Sequence, residues 1–161
     1  MLFKGSAEDV EVRYNKFIVH PGVTSTGPAI FLGGDFPNIP DSLISTWFTA
    51  VNIRVHDNLF YNFNNNLGHL QGTLLFGNAK DCSVYNNIFY LRNGGVTVEN
   101  IGFYGLDKPP VNCTLKNNII YSSGNSNLLA EIYFSGFSRP QNFISDNNIW
   151  YHTSGNPTFS W

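Results

Sequence analysis

Asn58-Leu59-Phe60-Tyr61, Asn87-Ile88-Phe89-Tyr90, Asn118-Ile119-Ile120-Tyr121 and Asn148-Ile149-Trp150-Tyr151 are one phrase written four times, at intervals of 29, 31 and 30 residues. A second Asn precedes the last three copies (Asn86, Asn117, Asn147), and Asp57 takes that place in the first. A fainter copy, Asn15-Lys16-Phe17-Ile18-Val19, lies about 42 residues earlier, so one repeat carries an extra loop. A period near thirty residues is the signature of stacked, near-identical units.

Each phrase follows a short alternating stretch: Val10-x-Val12, Ile53-x-Val55, Cys82-x-Val84, Cys113-x-Leu115 and, more weakly, Phe143-x-Ser145. Apolar and β-branched residues in alternation read as strands with one buried face. A Gly/Asn/Ser turn comes after the phrase, as in Arg92-Asn93-Gly94-Gly95 and Ser122-Ser123-Gly124-Asn125. A second apolar stretch then ends in glycine: Ile30 to Gly33, Leu74 to Gly77, Ile101 to Gly105 and Ile132 to Gly136. Short strands at this period, without a helical pattern of ten residues, predict an all-β chain wound as a β-solenoid. Each strand pairs in parallel with its copy one turn up, about 4.8 Å away. The recurring Asn then stacks into a ladder of side-chain amides that also satisfies backbone groups at the bend.

The Val-x-Asn-Asn-Ile-Phe-Tyr phrase resembles the coils of right-handed parallel β-helix proteins of the pectin-lyase-like superfamily, over roughly residues 9–152. The resemblance implies a right-handed parallel β-helix of about five coils, residues 1–161 forming one domain with an inserted loop at 33–50. Members of that superfamily are mostly polysaccharide lyases, glycoside hydrolases, epimerases and phage tailspikes, and some have no known catalysis. A carbohydrate-active module that cleaves a polysaccharide or oligosaccharide is therefore expected. The alternative is a non-catalytic binding or structural section of a larger surface protein, tailspike or enzyme.

Charged residues make up 12% and aromatic residues 16% of the chain, which excludes a disordered segment. The net charge of −2 gives no electrostatic case for nucleic acid or an anionic membrane as partner. No apolar run is long enough to span a membrane as a helix. Met1-Leu2-Phe3-Lys4-Gly5 leads straight into a polar strand and is not expected to act as a signal peptide. Neither end carries a recognisable cap, so the chain is expected to be part of a longer protein, or to meet a partner or a further copy at its ends. Secretion or display at the cell surface would follow if the full protein carries a signal peptide. Cys82 and Cys113, one period apart, should stack as buried thiols; the stacked geometry is not ideal for a disulfide.

Solenoid sites are built from equivalent positions of adjacent coils. Glu99 lies 12 residues after Asn87 and Glu131 lies 13 after Asn118. Adjacent rungs would bring these carboxylates to about 5 Å, the reach of a retaining glycosidase pair, unless they are two solvated strand-edge acids. Asp107 with Glu131 is similar in order to the nucleophile and acid/base of β-helix xylosidases, about one coil apart. That similarity implies attack by Asp107 and proton transfer by Glu131. Lys108 stands where an aromatic residue is expected beside that Asp, and Pro109-Pro110 follows. A uronate lyase would instead need a cation, often calcium, and a base drawn from Arg54, His56, Lys80, Arg92, Lys108 or Lys116. No column of three acids marks a calcium site, and no other cofactor is implied. Arg54 and His56 alternate with Ile53 and Val55 and read as the outward positions of a strand. Arg92, Lys108 and Trp47 are the candidate substrate contacts, Trp47 standing with Phe36, Pro37, Pro40 and Phe48 in the insert. Phe60, Phe89 and Trp150 fall in one column and read as a structural ladder.

Overall fold

The structure, a computed structural model, describes residues 1–3, 7–23, 29–33, 48–63, 74–92, 101–103, 110–123, 132–134 and 140–153. Every regular element among them is a β-strand, and every strand pairing is parallel. Four sheets result. Sheet A holds Leu2–Phe3, Ile30–Leu32, Leu74–Phe76, Ile101–Phe103 and Ile132–Phe134, in that order. Sheet B is a short corner of Ala7–Glu8, Ala50–Val51 and Ala79–Lys80, continued by single bridges through Val111 and Gln141. Sheet C holds Glu11–Arg13, Arg54–His56, Ser83–Tyr85, Thr114–Lys116 and Ile144–Asp146. Sheet D holds Lys16–Ile18, Leu59–Phe63, Ile88–Arg92, Ile119–Ser123 and Ile149–His152. Strand order in each sheet follows chain order, so each pass of the chain lays one strand on each of sheets A, C and D. This parallel stacking is consistent with a β-solenoid.

The chain turns between sheets at two rows of left-handed residues. Asp9, Asn52, Asp81, Asn112 and Asn142 mark the corner before sheet C, with φ between 51° and 55°. Tyr14, Asp57, Asn86, Asn117 and Asn147 mark the corner between sheets C and D, with φ between 54° and 56°. Asn and Asp tolerate this conformation because their short polar side chains bond locally. The doubled Asn of the phrase thus divides its labour: the first bends the backbone, the second turns inward. The row at the earlier corner has its own amide links, Asn52 donating to Asp9 at 2.6 Å and Asn112 to Asp81 at 2.9 Å.

The inward Asn residues form a continuous ladder. Asn58 Nδ2 donates to Asn87 Oδ1 at 3.1 Å, Asn87 to Asn118 at 3.1 Å, and Asn118 to Asn148 at 3.0 Å. Each Oδ1 also accepts the backbone N–H of the Asn below, and each Nδ2 reaches carbonyls such as Val55 O and Tyr85 O. Asn58, Asn87 and Asn118 are buried and Asn148 is partly so, and the ladder meets the requirement that buried polar groups be bonded. Its first rung is Asn15, 43 residues before Asn58 and one more than the sequence spacing gave, because Asn15 and not Lys16 holds the ladder position.

The interior is apolar columns at strand spacing. Phe17, Phe60 and Phe89 stack face to face, with ring centres 4.9 and 4.8 Å apart, and Ile120 and Trp150 continue the register. Such aromatic pairs contribute about 0.5–1.5 kcal/mol beyond their area burial. Val12, Val55, Val84 and Leu115 form the matching column of sheet C. Cys82 and Cys113 are buried free thiols that donate to backbone carbonyls. The hydrogen bond to Cys82, together with burial, pushes the Cys113 thiol far above its ordinary value. Most of the insert expected at 33–50 lies outside the described residues. At its near end Gly33, at φ 84°, sits so close to Asn78 that a Cβ would meet backbone atoms at 2.6–2.9 Å.

Candidate binding face

The first two outward positions of each sheet D strand form two parallel rows, because side chains alternate along a strand and parallel strands stack in register. Leu59, Ile88, Ile119 and Ile149 are aligned in one row, and Tyr61, Tyr90, Tyr121 and Tyr151 in the other. Ile88, Ile119 and Ile149 are 46%, 41% and 61% exposed, and Tyr61 and Tyr151 are 43% and 55% exposed. With Ile18, this one face carries six of the nine exposed large hydrophobic side chains among the described residues. Scattered exposed apolar residues need no explanation, but a contiguous group of them marks an interaction surface.

The tyrosine rings stack on one another at 4.9, 4.9 and 5.1 Å, with interplanar angles of 18°, 6° and 12°. Neighbouring rings cover each other's faces, so a ligand meets their edges and phenolic hydroxyls. No hydroxyl of the four bonds to a described residue. A third row, the exposed bend residues Asn86, Asn117 and Asn147, borders the aliphatic one and adds amide donors and acceptors. The face is thus three strips at strand spacing: amide, aliphatic and phenol. The repeating Tyr of the phrase was the sequence signal for it; burial of one face of a strand does not by itself say whether the other face is wet or covered.

The acids and most of the contacts that sequence reading favoured lie outside the described residues. Glu99, Asp107, Glu131, Trp47 and Lys108 lie outside the described residues, and so does the side chain of Arg92, whose backbone ends the strand Ile88–Arg92 on sheet D. Of the candidate lyase bases, Arg54 is exposed on sheet C as expected, whereas His56 is not a free outward side chain. It is buried at 6% exposure between Glu11 and Asp57, with Nε2 to Glu11 Oε1 at 2.9 Å and Nδ1 to Asp57 Oδ2 at 2.7 Å. Its ring stacks on Tyr85 at 4.6 Å. Burial by itself would lower the imidazole's pKa, but the bonds to Asp57 and Glu11 outweigh it and hold it above its ordinary value. The bond from His56 in turn holds the Glu11 carboxyl below its usual range. With a carboxylate on each nitrogen, His56 is a clasp between two repeats, engaged at both of the atoms a general base would use.

Compared with protein-family models, with curated proteins and with solved structures, the chain matches none.

Proposed function

We propose that the chain is a carbohydrate-active section of a right-handed parallel β-helix of about five coils, pectin-lyase-like in kind, which holds a polysaccharide along the outer face of sheet D. The observation that carries this reading is the row of four tyrosines repeated at strand spacing beside an aliphatic row. A periodic surface suits a periodic ligand. A pyranose has an apolar C–H face and a rim of hydroxyls; the aliphatic row suits the first, and the phenol and amide rows suit the second. Cleavage is assigned to the acids Glu99, Asp107 and Glu131, and the binding face stands apart from that assignment.

The gathering of large apolar side chains on one face also favours a second reading, a structural section whose sheet D packs against another protein surface. Affinity electrophoresis through gels containing plant and algal polysaccharides separates the two, with a reducing-end assay and mass spectrometry of products alongside. Retardation that is lost in the double variant Tyr90→Ala/Tyr121→Ala, with the circular dichroism spectrum unchanged, is the expected result. Products gaining a water mark a hydrolase and products lighter by one water a lyase; Glu131→Gln is expected to remove a hydrolytic activity without loss of stability. Absence of retardation in every gel, by a protein shown to be folded, would overturn the carbohydrate reading and leave the structural one.

A further inference from the structure

The sheet D face selects by charge as well as by spacing. Across the four repeats that carry tyrosine, its aliphatic and phenol rows hold only Leu59, isoleucine and tyrosine; the charged positions beside them are single ones, Asp57 at the start of the bend row and Arg92 two residues beyond Tyr90. Lys16 stands at one end, in the repeat that lacks a tyrosine. A polyuronate carries a carboxylate on each sugar and needs a cation at each repeat, which these rows do not offer. An uncharged, equatorially linked glycan has no such requirement. It is also extended, and it advances per sugar by close to one strand spacing, the distance at which the tyrosines recur.

We infer that the ligand of this face is an uncharged, extended glycan lying along the stacking direction, one sugar residue to each repeat; the inference rests on the reading of sheet D as a glycan-binding face. The sugars lie over the aliphatic row rather than between the tyrosine rings, because neighbouring rings already occupy each other's faces. The phenolic hydroxyls, unbonded to any described residue, meet the sugar hydroxyls on one side. The amides of Asn86 and Asn117 meet them on the other. Recognition is then spread over several weak contacts, one set to each repeat, and affinity grows with each repeat spanned.

The test is calorimetric titration of the whole chain with β-1,4-linked gluco-oligosaccharides of two to six residues, and with oligogalacturonates of the same lengths. Affinity for the neutral series is expected to rise about tenfold between two and four residues, to level once the tyrosine row is spanned, and to be unmoved by added salt. Tyr121→Phe keeps the ring stack and removes one hydroxyl, and is expected to weaken the tetramer by about threefold. Oligogalacturonates binding as tightly, with an affinity that falls as salt rises, would overturn the inference while leaving a glycan-binding face. An affinity for the neutral series that does not change with length would overturn the axial register. No binding of the neutral series by folded protein overturns this inference, and the reading beneath it falls only if the gels show no retardation as well. A dimer in light scattering that Tyr121→Asp dissociates would remove both, by placing a second copy on the face.

Discussion

Asparagine occurs twice at the corner between sheets C and D because two different properties of one side chain are needed at adjacent positions. At Asn86, Asn117 and Asn147 the backbone must enter the left-handed region, which costs most residues about 1–2 kcal/mol and Asn less. At Asn87 and Asn118 the side chain must satisfy buried donors and acceptors of its own repeat and of both neighbours. Replacing Asn87 by Ala leaves the N–H of Asn58 without its Oδ1 acceptor and removes one bond each from Asn58 Nδ2 and Val55 O. Loss of a partner to a buried polar group costs about 1–3 kcal/mol. Asn87→Ala is therefore expected to lower unfolding stability by about 3 kcal/mol in a urea titration, and Asn86→Ala by about 1 kcal/mol. Equal losses in the two variants would contradict this division of roles.

Strands Glu11–Arg13 and Arg54–His56 are tied by a contact that depends on pH. His56 joins Glu11 of the strand below to Asp57 of its own corner. Because its imidazole is held above the ordinary value of 6.5, the stabilisation is complete below about pH 6.5 and is lost as pH rises through the folded value. Glu11, held below its ordinary value of 4.5, adds a share that is present above about pH 4.5 and is lost as pH falls through its lowered value. Arg13, Arg54, Tyr14 and Tyr85 also surround this group. His152, whose pKa burial lowers, runs the other way and costs stability on acidification. The clasp is isolated by comparing the unmodified chain with His56→Gln in urea unfolding from pH 4 to 9. The difference between them is expected to be largest near pH 5–6 and to shrink towards pH 9. A difference constant with pH would mean that His56 acts through packing on Tyr85 alone.

A stack in which each strand touches only its neighbours distributes stability along the molecule. The middle strands of sheets C and D are paired on both sides and enclose the buried columns of Val84, Phe89 and Leu115. Strands Lys16–Ile18 and Ile149–His152 are paired on one side only among the described residues. Amide exchange is expected to be slowest at Val84, Phe89 and Leu91, and faster at Phe17 and Trp150. Uniform protection along sheet D would indicate that the ends are covered.

The period, the parallel pairing, the inward columns and the ladder were legible in the sequence, since a repeated residue in a stacked fold becomes a column whatever the details of the turn. The function of the first Asn in each pair was less legible, because αL geometry and amide bonding favour the same residue. Whether His56 was free or clasped depended on Glu11, 45 residues away in sequence, and no local pattern carries that information. The Tyr row was visible as letters, but its exposure was not: alternation fixes which side of a strand faces the core, and only the assembled surface decides whether the other side is covered. The sequence by itself therefore determined the stacking of this chain, through local chemistry repeated at a fixed interval. The tertiary structure decided which outward row meets solvent and which histidine is buried, because those outcomes depend on neighbours brought together by the fold.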